Sequence, residues 1–186
     1  GVAGGPTAHL RSSQVQCVNA LGQMMKNPDR ILKAFGKTLD IEDIRDFGTI
    51  DLSEKGRYLT FEFIGATDHF NEARGGKRNR GAQSTSIDAA FAYSTTAGVD
   101  ALALLEWKFT EQYPSADKNA NARKAERLRR YAEALTAPDS PIDTSNIELA
   151  DLFHEPIYQL VRQQILAHAL EKDPAVSADF VRVVHV

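Results

Sequence analysis

Glu106, Trp107 and Lys108 form an acid-x-lysine triplet. Asp88 stands 18 residues before the glutamate, inside the otherwise apolar run Thr85-Ser86-Ile87-Asp88-Ala89-Ala90-Phe91. Side chains alternate along an extended segment, so Glu106 and Lys108 share one face while Leu105, Trp107 and Phe109 take the other. An acid within an apolar strand needs a physical reason to be there. The runs 85–95 and 101–111 flank an Ala97-Gly98 turn and read as a β-hairpin, in which opposed residues have a constant index sum. A turn centred on Ala97 sets Asp88 opposite Glu106, and one centred on Gly98 sets it opposite Lys108. Either register gathers all three on one face, whereas a two-residue loop of Ala97-Gly98 alone breaks the geometry unless a bulge restores it.

Two carboxylates forced together disfavour each other's ionised form, and a divalent cation relieves both. Oxygen-only ligands point to Mg²⁺ or Mn²⁺. Asp88, Glu106 and the carbonyl oxygen of Trp107 are the expected metal ligands. Lys108, beside them, would orient or help deprotonate a water and offset charge growing on a phosphorane. The chemistry implied is metal-assisted phosphodiester hydrolysis. In a chain with 25 acids and 9 lysines, an acid two before a lysine is expected about once by chance, and it occurs once. The surroundings of the triplet therefore carry the argument, not the triplet itself.

Those surroundings are elements that alternate between helical and extended patterning. Ser12 or Ser13 caps a helix whose Cys17, Val18, Leu21, Met24 and Met25 form one stripe. Asn27 caps a second helix, with Pro28 at its first position and Ile31, Leu32 and Phe35 on one face. Residues 40–55 read as an acidic polar connection. Residues 58–64 alternate as a strand closed by Gly65. The hairpin follows, then a charged helix over 119–135, a helix over 156–170 with Leu160, Val161, Gln164 and Ala167 on its stripe, and a last strand over 180–186. The order is helix, strand, strand, strand, helix, strand, with an additional helix before the final strand.

Length and composition fit a single soluble α/β domain spanning 1–186, with 42% hydrophobic and 25% charged residues. A net charge of −3 and a pI near 6.0 give no whole-molecule attraction to nucleic acid or to an anionic membrane, so any DNA contact must be local. The single cysteine, Cys17, excludes an internal disulfide framework and agrees with a reducing, cytoplasmic setting. No apolar run is long enough to span a membrane, and the opening Gly1-Val2-Ala3-Gly4-Gly5-Pro6 has neither the cations nor the apolar run expected of a signal peptide. Both natural termini are expected to lie outside this sequence.

Ser84-Thr85-Ser86-Ile87-Asp88 and Leu104-Leu105-Glu106-Trp107-Lys108, set in that order of elements, resemble the PD-(D/E)XK or restriction-endonuclease-like superfamily over roughly residues 12–135 and the final strand. The phrases at 109–113 and 158–164 resemble a little-characterised bacterial branch of it. The resemblance implies a mixed central sheet flanked by helices, the acid on the second core strand and the E-x-K on the third. Ile87 stands where the name-giving proline would be. Gln14 and Gln16 occupy the first helix where some members have a glutamate, and Glu62, off the first strand, is the substitute supporting acid.

Cations for phosphate contact are local. Arg74, Lys77, Arg78 and Arg80 precede the Asp88 strand, and Arg123, Arg127 and Arg130 share a face of the charged helix. Glu126 and Glu133 offer that helix ion-pair partners, which is also the pattern of a solvated face. The five histidines share no ligand spacing, and Gly75-Gly76-Lys77 lacks the flanks of a phosphate-binding loop. Tyr158, Arg162 and Gln163 form a polar edge that either packs or steers substrate. The expected function is Mg²⁺-dependent endonucleolytic cleavage of DNA, double-stranded for preference. The competing readings are a metal-free module of the same fold that binds nucleic acid or protein, and a scaffold subunit that docks an acidic protein through 74–80. A homodimer or further protein subunits are compatible with each.

Overall fold

The computed structural model describes residues 13–73, 78, 84–108 and 120–186, with side chains in the third helix from residue 124 onward. It divides into two compact units. One comprises 1–63, 87–111 and 174–186, the other 64–86 and 112–173.

The first unit opens with helix α1, Ser13–Leu21, and helix α2, Pro28–Leu39. Asn27 caps α2 by accepting the Arg30 N–H at 3.3 Å, and Pro28 occupies the first turn, where its missing N–H has no partner to lose. The chain leaves α2 through Asp40 in the left-handed conformation, φ 56°, and enters strand β1, Ile41–Arg45. Residues 40–55 are thus not merely a connection. Ile41 and Ile44 are buried, a bulge between Ile41 and Asp43 sets them on the core side, and two short helical turns follow. Phe47 anchors these turns, edge-on to Phe63 at 5.5 Å between ring centroids.

Strands β2, Thr60–Phe63, β3, Ile87–Thr95, β4, Asp100–Glu106, and β5, Phe180–His185, complete a five-stranded sheet. Its order is β1-β3-β4-β5, with β2 also paired to β3. β1 lies along the second half of β3 and β2 along the first. Both pairings are antiparallel, as is β3 with β4, whereas β5 runs parallel to β4. This mixed α/β sheet is compatible with a restriction-endonuclease-like core.

On one face, Ala89, Phe91 and Tyr93 of β3 and Ala101, Ala103 and Leu105 of β4 pack with Cys17, Leu21, Ile31 and Leu39 of the two helices. Alternation along β3 and β4 leaves Asp88 and Glu106 out of that packed set.

In the second unit, helices α3, Ala120–Thr136, and α4, Ile157–Glu171, pack around Tyr131, Leu135, Phe153 and Tyr158. α4 buries Tyr158, Val161, Gln163, Ile165, Leu166, Ala167 and Leu170, while Leu160 and Gln164, expected on its stripe, are exposed. Among the described residues no helix is long and apolar enough to cross a membrane.

Phe91 is fully buried against Phe35 and Tyr93. Phe91→Ala is expected to cost about 3–5 kcal/mol in urea unfolding, and a cost below about 1 kcal/mol would contradict this packing.

Candidate active site

The β3–β4 register decides which groups meet. Ala89 pairs with Leu105 and Ser94 with Asp100, an index sum of 194, so the hairpin is centred on Ala97. The turn holds three residues, 96–98. Thr95 and Val99 close it at 2.9 Å, and Gly98, at φ 76°, supplies the left-handed conformation that such a turn requires. One step beyond Ala89 and Leu105, the same ladder sets Asp88 opposite Glu106. On the other side of β3, Phe61 pairs with Ala89 and Phe63 with Ile87, which sets Glu62 opposite Asp88. Parallel pairing sets His185 beside Glu106. One row across four strands thus reads Glu62, Asp88, Glu106, His185.

Local bonds tie the middle of that row. Asp88 Oδ2 accepts the backbone N–H of Trp107 at 2.8 Å, joining the acid of β3 to the x position of the E-x-K. The Lys108 ammonium lies 2.6 Å from Glu106 Oε1. Glu106 is only 4% exposed, so this is a largely desolvated pair, and Lys108 supplies the charge that makes a buried carboxylate tolerable. The strand end is held from β5: Val186 N–H donates to the Glu106 carbonyl at 2.9 Å, and Lys108 N–H donates to the Val186 carbonyl at 3.0 Å. Trp107 packs partly against the helix-covered core, as alternation requires.

Glu62 behaves differently from the two central acids. Its φ of 51° is a left-handed value inside a strand, where such a conformation is costly, and its Oε1 accepts a hydrogen bond from Gln14 Nε2 of α1. Gln14 is legible in the sequence only as a missing carboxylate. Its amide in fact engages the acid suggested as a replacement. Cys17, one turn further along α1, is buried. Burial, and then the charges of Asp88 and Glu106, push its thiol up to about 12. His185 is exposed, and burial of part of its ring, followed by the Lys108 charge, holds its imidazole below the usual histidine range.

A hard divalent cation that keeps several waters needs only one or two carboxylates from the protein. Facing acids on adjacent strands, with oxygen as their donor atom, suit such an ion. Among the described residues no three His, Cys, Asp or Glu side chains form a ready-made ligand group. The fit is therefore to a two-carboxylate site completed by solvent or substrate oxygens.

The expected phosphate-binding cations divide. Arg74, Lys77 and Arg80 lie outside the described residues, as do the side chain of Arg123 and the segment 109–113. Arg78 donates to four consecutive backbone carbonyls: Ile64 at 3.0 Å, Gly65 at 3.0 Å, Ala66, and Thr67 at 2.8 Å. That is the bonding of a staple that shapes its own loop. Arg127 donates to the Phe153 carbonyl at 2.7 Å and lies 3.7 Å over the Tyr158 ring. Arg130 pairs with Glu126 at 2.8 Å. Tyr158 and Arg162 join a buried network centred on Glu72, whose carboxylate accepts from Thr85 Oγ1 at 2.8 Å and from the Tyr131 hydroxyl. Arg162 reaches Thr85 Oγ1 at 2.9 Å. A carboxylate with this many donors is a packing element of the second unit.

The family described as restriction endonuclease associating with ARP matches residues 3–186. No curated protein matches the chain, and no solved structure does.

Because the Cys17 thiol is buried and held protonated, it is expected to resist iodoacetamide at pH 8 in the native protein and to react at once in urea. Burial pushes the folded thiol up to about 12, well above the ordinary cysteine range of the unfolded chain, so the unfolded state loses its proton first as pH rises. Stability should therefore fall above the unfolded value. Rapid labelling in native buffer would contradict the placement of α1 against the sheet.

Proposed function

The chain belongs to the family described as restriction endonuclease associating with ARP, and we propose that it cleaves DNA as a divalent-cation-dependent endonuclease through Asp88, Glu106 and Lys108. The family description supports nuclease chemistry with DNA as the substrate class. The observation that carries the finer reading is the Ala97-centred register, which puts two acids face to face, with a lysine two residues past the end of β4 in contact with one of them.

Asp88 and Glu106 are the groups to hold Mg²⁺ or Mn²⁺, with the Trp107 carbonyl as a further oxygen. Trp107 also acts through its N–H, which holds Asp88 Oδ2 and so orients that carboxylate. When bound, such a cation supplies Lewis-acid charge to a phosphate oxygen and makes a water acidic enough to attack. Lys108 starts in contact with Glu106, so its ammonium is already positioned, without reorganisation, beside the place where a phosphate would gain negative charge. The β5 backbone bonds to Glu106 and Lys108 fix the strand end that carries both side chains. We take double-stranded DNA as the substrate form, the cytoplasm as the setting, and the ARP of the family description as the class of protein partner.

One observation favours a second reading, a non-cutting module of the same fold: Glu106 is nearly fully buried and already neutralised by Lys108. Calorimetric titration with Mn²⁺ separates the two, because a module that has lost its metal gives no heat at millimolar ion.

The nuclease reading is tested by nicking of a supercoiled plasmid. Magnesium should support nicking and EDTA should abolish it. Asp88→Asn and Glu106→Gln, which keep side-chain shape, should each lower the rate by at least about a hundredfold with little change in melting temperature. Full cleavage by either variant would overturn the assignment.

A further inference from the structure

His185 is the last member of the row, and nothing in its local sequence marks it out. Its place comes from the parallel β4–β5 ladder, which pairs it directly with Glu106. The two backbone bonds between Val186 and the Glu106 and Lys108 positions hold that pairing at the strand end. The Lys108 ammonium, in contact with Glu106, lies close enough to His185 to act on its imidazole. Two nitrogen groups, Lys108 Nζ and the His185 ring, thus follow the two carboxylates along one line. Strands lie about 4.8 Å apart, so His185 sits one strand from Glu106 and two, or about 10 Å, from Asp88. The described residues hold no group of three His, Cys, Asp or Glu side chains placed to take a metal, so His185 stands outside a cation site formed by the two acids, yet close enough to meet the same bound strand. His185 is also exposed, whereas Glu106 is not, so the ring is accessible to a large ligand.

We propose that His185 is a substrate-binding residue that donates a ring N–H to a phosphate oxygen of the DNA strand lying along the row. An imidazole carries at least one N–H in either charge state, so the contact does not depend on protonation. It positions the strand beyond Lys108, away from the cation, and therefore acts on substrate affinity. This inference rests on the nuclease reading of Asp88, Glu106 and Lys108.

The test uses the full chain with Mg²⁺ and plasmid or duplex DNA, comparing His185→Ala, His185→Phe and His185→Asn. Loss of one hydrogen bond should raise KM by about three- to tenfold in the alanine and phenylalanine variants. The value of kcat, the Mn²⁺ affinity of the DNA-free protein and the melting temperature should stay at their wild-type values. His185→Asn, which keeps an N–H donor, should recover most of the lost affinity. An unchanged KM in His185→Ala overturns the proposal, as does His185→Asn performing no better than His185→Phe. A fall in Mn²⁺ affinity also overturns it, because the ring would then act on the cation site. A wild-type chain that cuts no DNA removes the nuclease reading itself and this inference with it, whereas cutting that is indifferent to His185 removes only the inference.

Discussion

The index sum of the β3–β4 hairpin is the constraint on which the rest depends. With the turn centred on Ala97, Asp88 and Glu106 occupy facing positions on adjacent strands. A one-residue slip would send one of them to the helix-covered face, among Leu105 and Phe91. Gly98 secures this, because the three-residue turn needs a left-handed residue at that place and any other side chain would be strained there. The Trp107 N–H to Asp88 bond adds a second lock on the same register. A backbone choice far from the site, at the hairpin tip, is thus what brings the acids together.

Facing carboxylates would repel if nothing else were near, and the structure answers this in three ways. Lys108 neutralises Glu106 inside the protein. The Trp107 amide stabilises Asp88. Glu62, third in the row, bends into a left-handed conformation and engages the neutral amide of Gln14. With one lysine for two acids, the cluster would keep a net negative charge, as the proposed cation site requires. On the nuclease reading, a chain of net charge −3 would meet a phosphate backbone through local positive charge, Lys108 and a bound cation, and the whole-molecule charge would have little bearing on it.

How much of this was legible in the sequence differs from residue to residue. The hairpin and the shared face of Glu106 and Lys108 follow from alternation alone. The register did not, because Ala97-Gly98 is compatible with turns of different length, and only the 95–99 closure decides between them. β1 was hidden because Ile41 and Ile44 are three apart across a bulge and acids surround them, which erases the period of two. The place of His185 beside Glu106 was invisible because a parallel partner arrives through a long crossover, and no spacing rule reports where it lands. For the arginines at 127 and 130 helical spacing found the common face, whereas their partners, the Phe153 carbonyl, the Tyr158 ring and Glu126, are set by packing that no spacing reports.

The central claim is that Asp88 and Glu106 together hold a divalent cation. Anomalous diffraction from a crystal soaked in Mn²⁺ tests it most directly. The account predicts one strong anomalous peak within coordinating distance of both carboxylates, absent in Asp88→Asn. Mn²⁺ density confined to surface acids elsewhere, with the Glu106–Lys108 pair intact and the space beside Asp88 filled by water alone, would contradict it.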